Sequence, residues 1–132
     1  MNWAKVFVVL FVSHVVGDYL LQTDWQAVHK RRGLGSDPVA RRALFTHTLS
    51  YVMAFVPALI WISATLGWKA LILLPVIGVP HLVQDDGRLL SYYARHVKGL
   101  DPAEDHAIVA LCDQAFHQLA LLGAALLVAA LA

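Results

Sequence analysis

At 132 residues the chain has room for one small domain, and 59% of it is hydrophobic while only 14% is charged, about half the usual charged share. A mean hydropathy of +0.63 and a formal net charge of +1 give no basic-aromatic surface for nucleic acid, and the lone cysteine, Cys112, excludes an internal disulfide. The apolar residues fall into long continuous spans, which is the pattern of membrane helices.

The first predicted span covers residues 3–23. From Trp3 to Leu21 it is interrupted only by Lys5 near its start and by Ser13, His14, Gly17 and Asp18. A cleaved signal segment has a shorter, uncharged apolar core and a small-residue cleavage site, so this span reads as a retained helix. A basic loop follows with Lys30, Arg31, Arg32, Arg41 and Arg42. The second span, 43–66, contains His47 and tolerates Pro57 as a kink inside a packed bundle. A short loop at Gly67 leads to the third, 68–90, which carries Pro75, Pro80, His81 and Asp85. Arg88, Arg95 and Lys98 make the next loop basic, and a fourth span, 107–131, holds Asp113 and His117. The soluble alternative, a helical bundle in water, needs charged outer faces, and the last helix has no charge after Gln118. The expected fold is therefore all-α, a four-helix transmembrane bundle forming a single integral membrane domain over 1–132.

The basic loops after the first and third spans share one side, which the positive-inside rule makes cytoplasmic, so both termini face outward. His14/Asp18, His81/Asp85 and Asp113/His117 are each four residues apart and thus share a helix face. Helix direction alternates, yet His14 and Asp18 end their span, His47 opens the second, His81 and Asp85 close the third, and Asp113 and His117 open the fourth. All seven fall in the cytoplasmic half. Ionisable groups within membrane helices are costly and face the bundle interior, so this alignment predicts one shared polar site.

Imidazole nitrogens with carboxylate oxygens suit divalent metals. Seven such groups leave room for two ions, or for one ion with carboxylates orienting its histidines. The expected ligands are His14, Asp18, His47, His81, Asp85, Asp113 and His117, binding one or two divalent cations with zinc favoured. Asp18 and Asp113 are the candidate catalytic bases, though ligand, orienter and base cannot be separated at this point. Hydrolysis of a lipid or other amphiphile by a metal-bound water is the matching enzyme chemistry. Two other classes stay open. The same cluster can serve an ion or proton transporter, against which the nearly apolar outer halves count. It can also be a structural His–Asp hydrogen-bond network in a non-catalytic membrane partner protein, since buried polar pairs hold membrane helices together by about 0.6 kcal/mol each. Membrane lipids are the expected surroundings, and a homo-oligomer is compatible with the sequence.

Among the neighbours, Gln22 and Gln114 are candidate substrate or outer contacts, with Gln22 read first as a polar helix-end residue, and Tyr51, one turn after His47, suits either a hydrogen bond into the cluster or aromatic packing. Asp86 points about 100° away from Asp85, toward Arg88 or water. His29, His96 and His106 belong to loops and are expected to be solvated.

The run His14-x-x-x-Asp18-Tyr19-x-x-Gln22 with Trp25 and Lys30, then Thr46-His47 with Tyr51, His81-x-x-x-Asp85 and Asp113-Gln114-x-x-His117 resembles domain-of-unknown-function family 3307, whose members are small bacterial and phage multi-pass membrane proteins. The resemblance runs over about the whole chain and implies a multi-pass membrane protein. Asp86 is a departure from many relatives. A more distant likeness is to small inner-membrane proteins described as metal-dependent hydrolases, an analogy that does not establish function.

Overall fold

The computed structural model describes all 132 residues. The first helix, α1 (Trp3–Val15), starts where the Asn2 side chain accepts from the Ala4 and Lys5 amides, and it runs on into a π-helical turn, Val16–Leu20. Next come α2 (Asp24–His29), α3 (Pro38–Ala54), α4 (Val56–Leu66), a 3-10 turn over Gly67–Ile72, α5 (Leu73–Asp85), α6 (Arg88–His96) and α7 (His106–Leu131). Counting α4, the 3-10 turn and α5 as one uninterrupted stretch, there are six helices and no sheet.

Three of these stretches are long and apolar enough to cross a membrane: Trp3–Leu20, Val56–Asp85 and His106–Leu131. The middle one is not straight. Gly67 takes φ 58, ψ −141, backbone that only glycine adopts without strain. Beyond it the chain doubles back, so that His81 meets His47 and Gly78 meets Val52. These pairings run in opposite sequence directions, so α5 lies antiparallel to α3. By the same reasoning α1 is antiparallel to α3, since His14 reaches Tyr51 while Asp18 reaches His47.

α1, α3 with α4, α5 and α7 enclose the main core. Leu10, Phe55, Ile62, Leu73, Leu121 and Val128 fill it beside the small residues Ala58, Ala70, Ala124 and Ala125. Small residues let helix backbones approach closely, which is the main source of helix association where lipid removes the hydrophobic drive. Gly17 shows how close. A Cβ there would lie 2.8 Å from Tyr51 Cδ2 and 3.2 Å from its Cα. Facing outward are Val8, Val12, Leu49, Met53, Ile60, Leu119 and other large apolar side chains.

Several expected boundaries shift. The second helix begins at Pro38, capped by the Asp37 side chain on the Val39 amide, well before residue 43. It breaks at Phe55, where Pro57 follows in the first turn of α4. The third span does not reach residue 90: Gly87, at φ 78, ends it, and α6 starts as a separate helix. Leu90 and Ala94 of α6 are buried in a small cluster with Val109, while Leu89, Tyr92 and Val97 are exposed. Cys112 is half-buried at the edge of that cluster.

The two basic loops meet. The Arg32 amide donates to the Asp86 carbonyl at 2.8 Å, and the Leu34 amide donates to Asp86 Oδ1 at 2.8 Å. Helix α2 opens with a Thr23–Gln26 capping box, and the Gln26 side-chain amide donates across to Thr46 Oγ1 of α3 at 3.3 Å. Lys30, at the C-terminal end of α2, is carried by these contacts to the mouth of the polar layer.

Candidate metal centre

Asp18 sits in the π-helical turn that ends the first helix. Such turns are rare and recur at functional sites, because the extra residue rotates side chains out of α-helical phase. Here the rotation is compatible with Gly17 packing on Tyr51 while Asp18 faces His47, whose Nε2 lies 3.2 Å from Asp18 Oδ1. From α5, His81 Nε2 comes within 3.1 Å of His47 Nε2, and Asp85 Oδ2 lies 2.9 Å from His47 Nε2 and 3.2 Å from His81 Nε2. One ligand atom from each of Asp18, His47, His81 and Asp85 fits within 4.8 Å of the others, and all four residues are buried.

This packing exceeds what hydrogen bonding can satisfy. His47 Nε2 carries one hydrogen or one lone pair, yet it has three polar atoms within 3.2 Å. Asp18 and Asp85 also repel. With one oxygen of each within 4.8 Å of the other and an effective dielectric constant near 20, two carboxylate charges cost roughly 3.5 kcal/mol or more. A cation at the centre would meet both requirements.

One cation is already present. Lys30 Nζ lies 2.8 Å from Asp85 Oδ2 and 4.0 Å from Asp18 Oδ1, and bonds Gln22 Oε1 at 2.5 Å. The site's formal charge is therefore −1 with neutral imidazoles, from two carboxylates and one ammonium.

A surrounding chain fixes the first carboxylate. Tyr51 Oη and His14 Nδ1 are 3.1 Å apart, and His14 Nε2 lies 3.0 Å from Gln114 Oε1. Gln114 Nε2 in turn donates to Asp18 Oδ2 at 3.3 Å. The consistent tautomer has His14 donating to Gln114 and accepting from Tyr51. Tyr51 also stacks flat on His81, with ring centroids 3.4 Å apart and 2° between planes, which sets that imidazole's orientation.

His117 approaches from α7. Its Nδ1 donates to the Asp113 carbonyl at 2.9 Å, leaving Nε2 with no hydrogen-bond partner. Asp85 Oδ1 is 3.4 Å from that nitrogen, a contact without hydrogen-bond alignment. An imidazole whose Nδ1–H is held by a carbonyl presents its Nε2 lone pair, the arrangement found in metal-ligating histidines. His47 Nδ1 and His81 Nδ1 lack partners, so no hydrogen bond at Nδ1 orients either ring.

Of the seven expected ligands, Asp18, His47, His81 and Asp85 converge, and His117 adjoins them. His14 is buried beside them, but both its ring nitrogens are engaged by Tyr51 and Gln114. Asp113 stands apart: its carboxylate is 3.9 Å from His117 Nδ1 and its side chain is 25% exposed, on the wall of a cavity of about 110 Å³ with Gln84 and Phe116. Asp86 is buried, not hydrated, and pairs with Arg88 at 3.3 Å. His29, His96 and His106 are exposed. Lys30, placed by the sequence in the basic first loop, is not among the expected site residues, yet it lies against two buried carboxylates. Residues 6–132 match the family described as "Protein of unknown function (DUF3307)". The chain belongs to that family. No curated protein and no solved structure matches it. This DUF3307 member thus carries a buried Asp/His cluster that could hold a metal ion, in a chain with three stretches able to span a membrane.

Proposed function

We propose that this DUF3307 protein is a four-pass integral membrane protein that binds a divalent cation through Asp18 Oδ1, His47 Nε2, His81 Nε2 and Asp85 Oδ2. The observation that carries the reading is the convergence of these four atoms within 4.8 Å among buried side chains, with more polar neighbours than their hydrogens can serve. Two imidazoles and two carboxylates favour zinc among common metals, since zinc accepts mixed nitrogen and oxygen donors in a tetrahedron. His117, with its free Nε2 beside Asp85, is the fifth donor or the start of a second site.

In this reading α1, α3–α4, α5 and α7 each cross the membrane, with the turn at Gly67 on one side and the joined basic loops on the other. The excess of Lys and Arg in those loops makes their side cytoplasmic. Lys30 marks the side from which the site opens. The chemistry a cation would supply there is activation of a water for hydrolysis, and an amphiphile reaching from the bilayer is the matching substrate. Asp113, outside the four-atom cluster and partly exposed, is the spare carboxylate for a general base.

Metal content of detergent-purified protein, measured by mass spectrometry beside a His47→Ala/Asp85→Asn variant, tests the proposal. About one equivalent, lost in a variant that still elutes as a folded species, is the expected result. Absence of stoichiometric metal after zinc loading, together with stability indifferent to chelator, would return the cluster to a structural hydrogen-bond network.

A further inference from the structure

On the loop side of the molecule, α6 presents Arg88, Ser91, Tyr92 and Arg95 to a cavity of about 360 Å³, and the first basic loop closes it with Arg31 and Arg32. The α6 positions are spaced i, i+3, i+4 and i+7, one face of a helix. Four of the chain's ten Lys and Arg residues thus surround one cavity. The one carboxylate there, Asp86, is committed to Arg88 and to the Leu34 amide. Arg31, Arg32 and Arg95 are exposed and form no salt bridge, unlike Arg88 and Lys30.

The arrangement is built, not incidental to a flexible loop. Arg32 is the chain's one non-glycine residue with positive φ, at 61°, and its amide is tied to the Asp86 carbonyl. The Arg31 side chain lies against Gly87, where a Cβ would come within 3.7 Å of it. Like charges held together without a counter-charge repel one another, and planar guanidinium forks match the paired oxygens of a phosphate. The cavity's size falls at the lower end of the range of small-molecule sites. Exposed Leu89 and Val97 on α6 set the helix at the boundary between lipid and water, as amphipathic interfacial helices lie.

We infer that this cavity binds a phosphate-bearing anion, and that the headgroup of an anionic lipid and a free phosphate compound share the chemistry it recognises. The inference does not rest on the metal reading, and its measurements can be made in the presence of chelator.

The test uses the purified protein in neutral detergent, titrated calorimetrically with short-chain phosphatidic acid, short-chain phosphatidylcholine and inorganic phosphate. Two double variants remove equal charge: Arg32→Gln/Arg95→Gln inside the cavity, and Arg42→Gln/Lys98→Gln outside it. Phosphatidic acid should bind about tenfold or more tightly than phosphatidylcholine, with that preference lost in the cavity variant and retained in the outer one. Arg95→Lys, which keeps the charge but not the fork, should recover only part of the affinity and guards against a folding defect. Tighter binding of phosphatidic acid than of inorganic phosphate identifies a lipid headgroup; equal binding identifies a free phosphate. Equal loss in both double variants would reduce the effect to diffuse surface charge and overturn the site, as would no preference for phosphatidic acid or inorganic phosphate over phosphatidylcholine.

Discussion

Replacing Lys30 with methionine tests whether its ammonium and a metal ion compete for Asp85, because metal-free stability and metal affinity should then change in opposite directions. The Lys30 ammonium is 14% exposed and sits 2.8 Å from an Asp85 carboxylate that is 1% exposed. In the metal-free protein it is the only fixed cation at two buried carboxylates, and removing one partner of such a pair costs about 3–5 kcal/mol. Lys30→Met is therefore expected to lower the stability of metal-free protein sharply. With a cation bound, the balance reverses. A like charge about 4 Å away costs roughly 4 kcal/mol per unit charge at an effective dielectric constant near 20, so the ammonium must swing out toward solvent when the ion enters. What binding then loses is the charged hydrogen bond to Asp85, about 1.5–3 kcal/mol. Methionine has no such bond to give up, so zinc should bind about 10- to 100-fold more tightly to Lys30→Met. Competition against a chromogenic chelator gives the affinity, and thermal unfolding with and without zinc gives the stability. Unchanged or weaker zinc binding in a folded Lys30→Met protein would refute the argument that ammonium and metal compete for Asp85.

Gln114→Ala removes the amide that joins His14 to Asp18 Oδ2 while leaving all four convergent atoms in place. Metal affinity should fall about 10-fold, within the usual range for outer partners of ligands, and the same competition assay reads it; a loss as complete as for His47→Ala would make Gln114 itself a ligand. Gly17→Ala puts a Cβ 2.8 Å from Tyr51 Cδ2 in a packed interface, and such overpacking costs about 1–3 kcal/mol. Thermal unfolding in detergent should register that loss, and Tyr51→Phe, which leaves the ring in place, should not relieve it.

The sequence exposes the polar residues because of where they stand. A histidine or aspartate in an apolar helix stands out because burying it there is costly, and i, i+4 spacing adds a shared face. Thus His14, Asp18, His47, His81, Asp85, Asp113 and His117 are legible as candidates, as is the placement of the two basic loops on one side; that the loops touch is not. The bounds of the elements are less legible. Gly87 falls inside the expected third span and most of helix α6 inside the basic loop after it, although Leu90 and Ala94 repeat at helical spacing with arginines on another face. Lys30 is hidden for a different reason: a loop lysine among arginines reads as solvated charge, and its partner Asp85 is 55 residues away.

What the sequence determined by itself is the chemistry on offer, helices bearing imidazole and carboxylate groups toward one end of an apolar core. Composition and periodicity carry that, since each depends only on neighbours along the chain. The tertiary structure decided which groups meet. The π-helical turn at Val16–Leu20 is compatible with Asp18 facing His47, the reversal at Gly67 sets His81 against His47, and the docking of the first loop on Asp86 delivers Lys30 to Asp85. Each depends on helix rotation and loop closure over tens of residues, where a shift of one residue turns a side chain about 100° and spacing alone cannot say which of seven candidates will share a point in space.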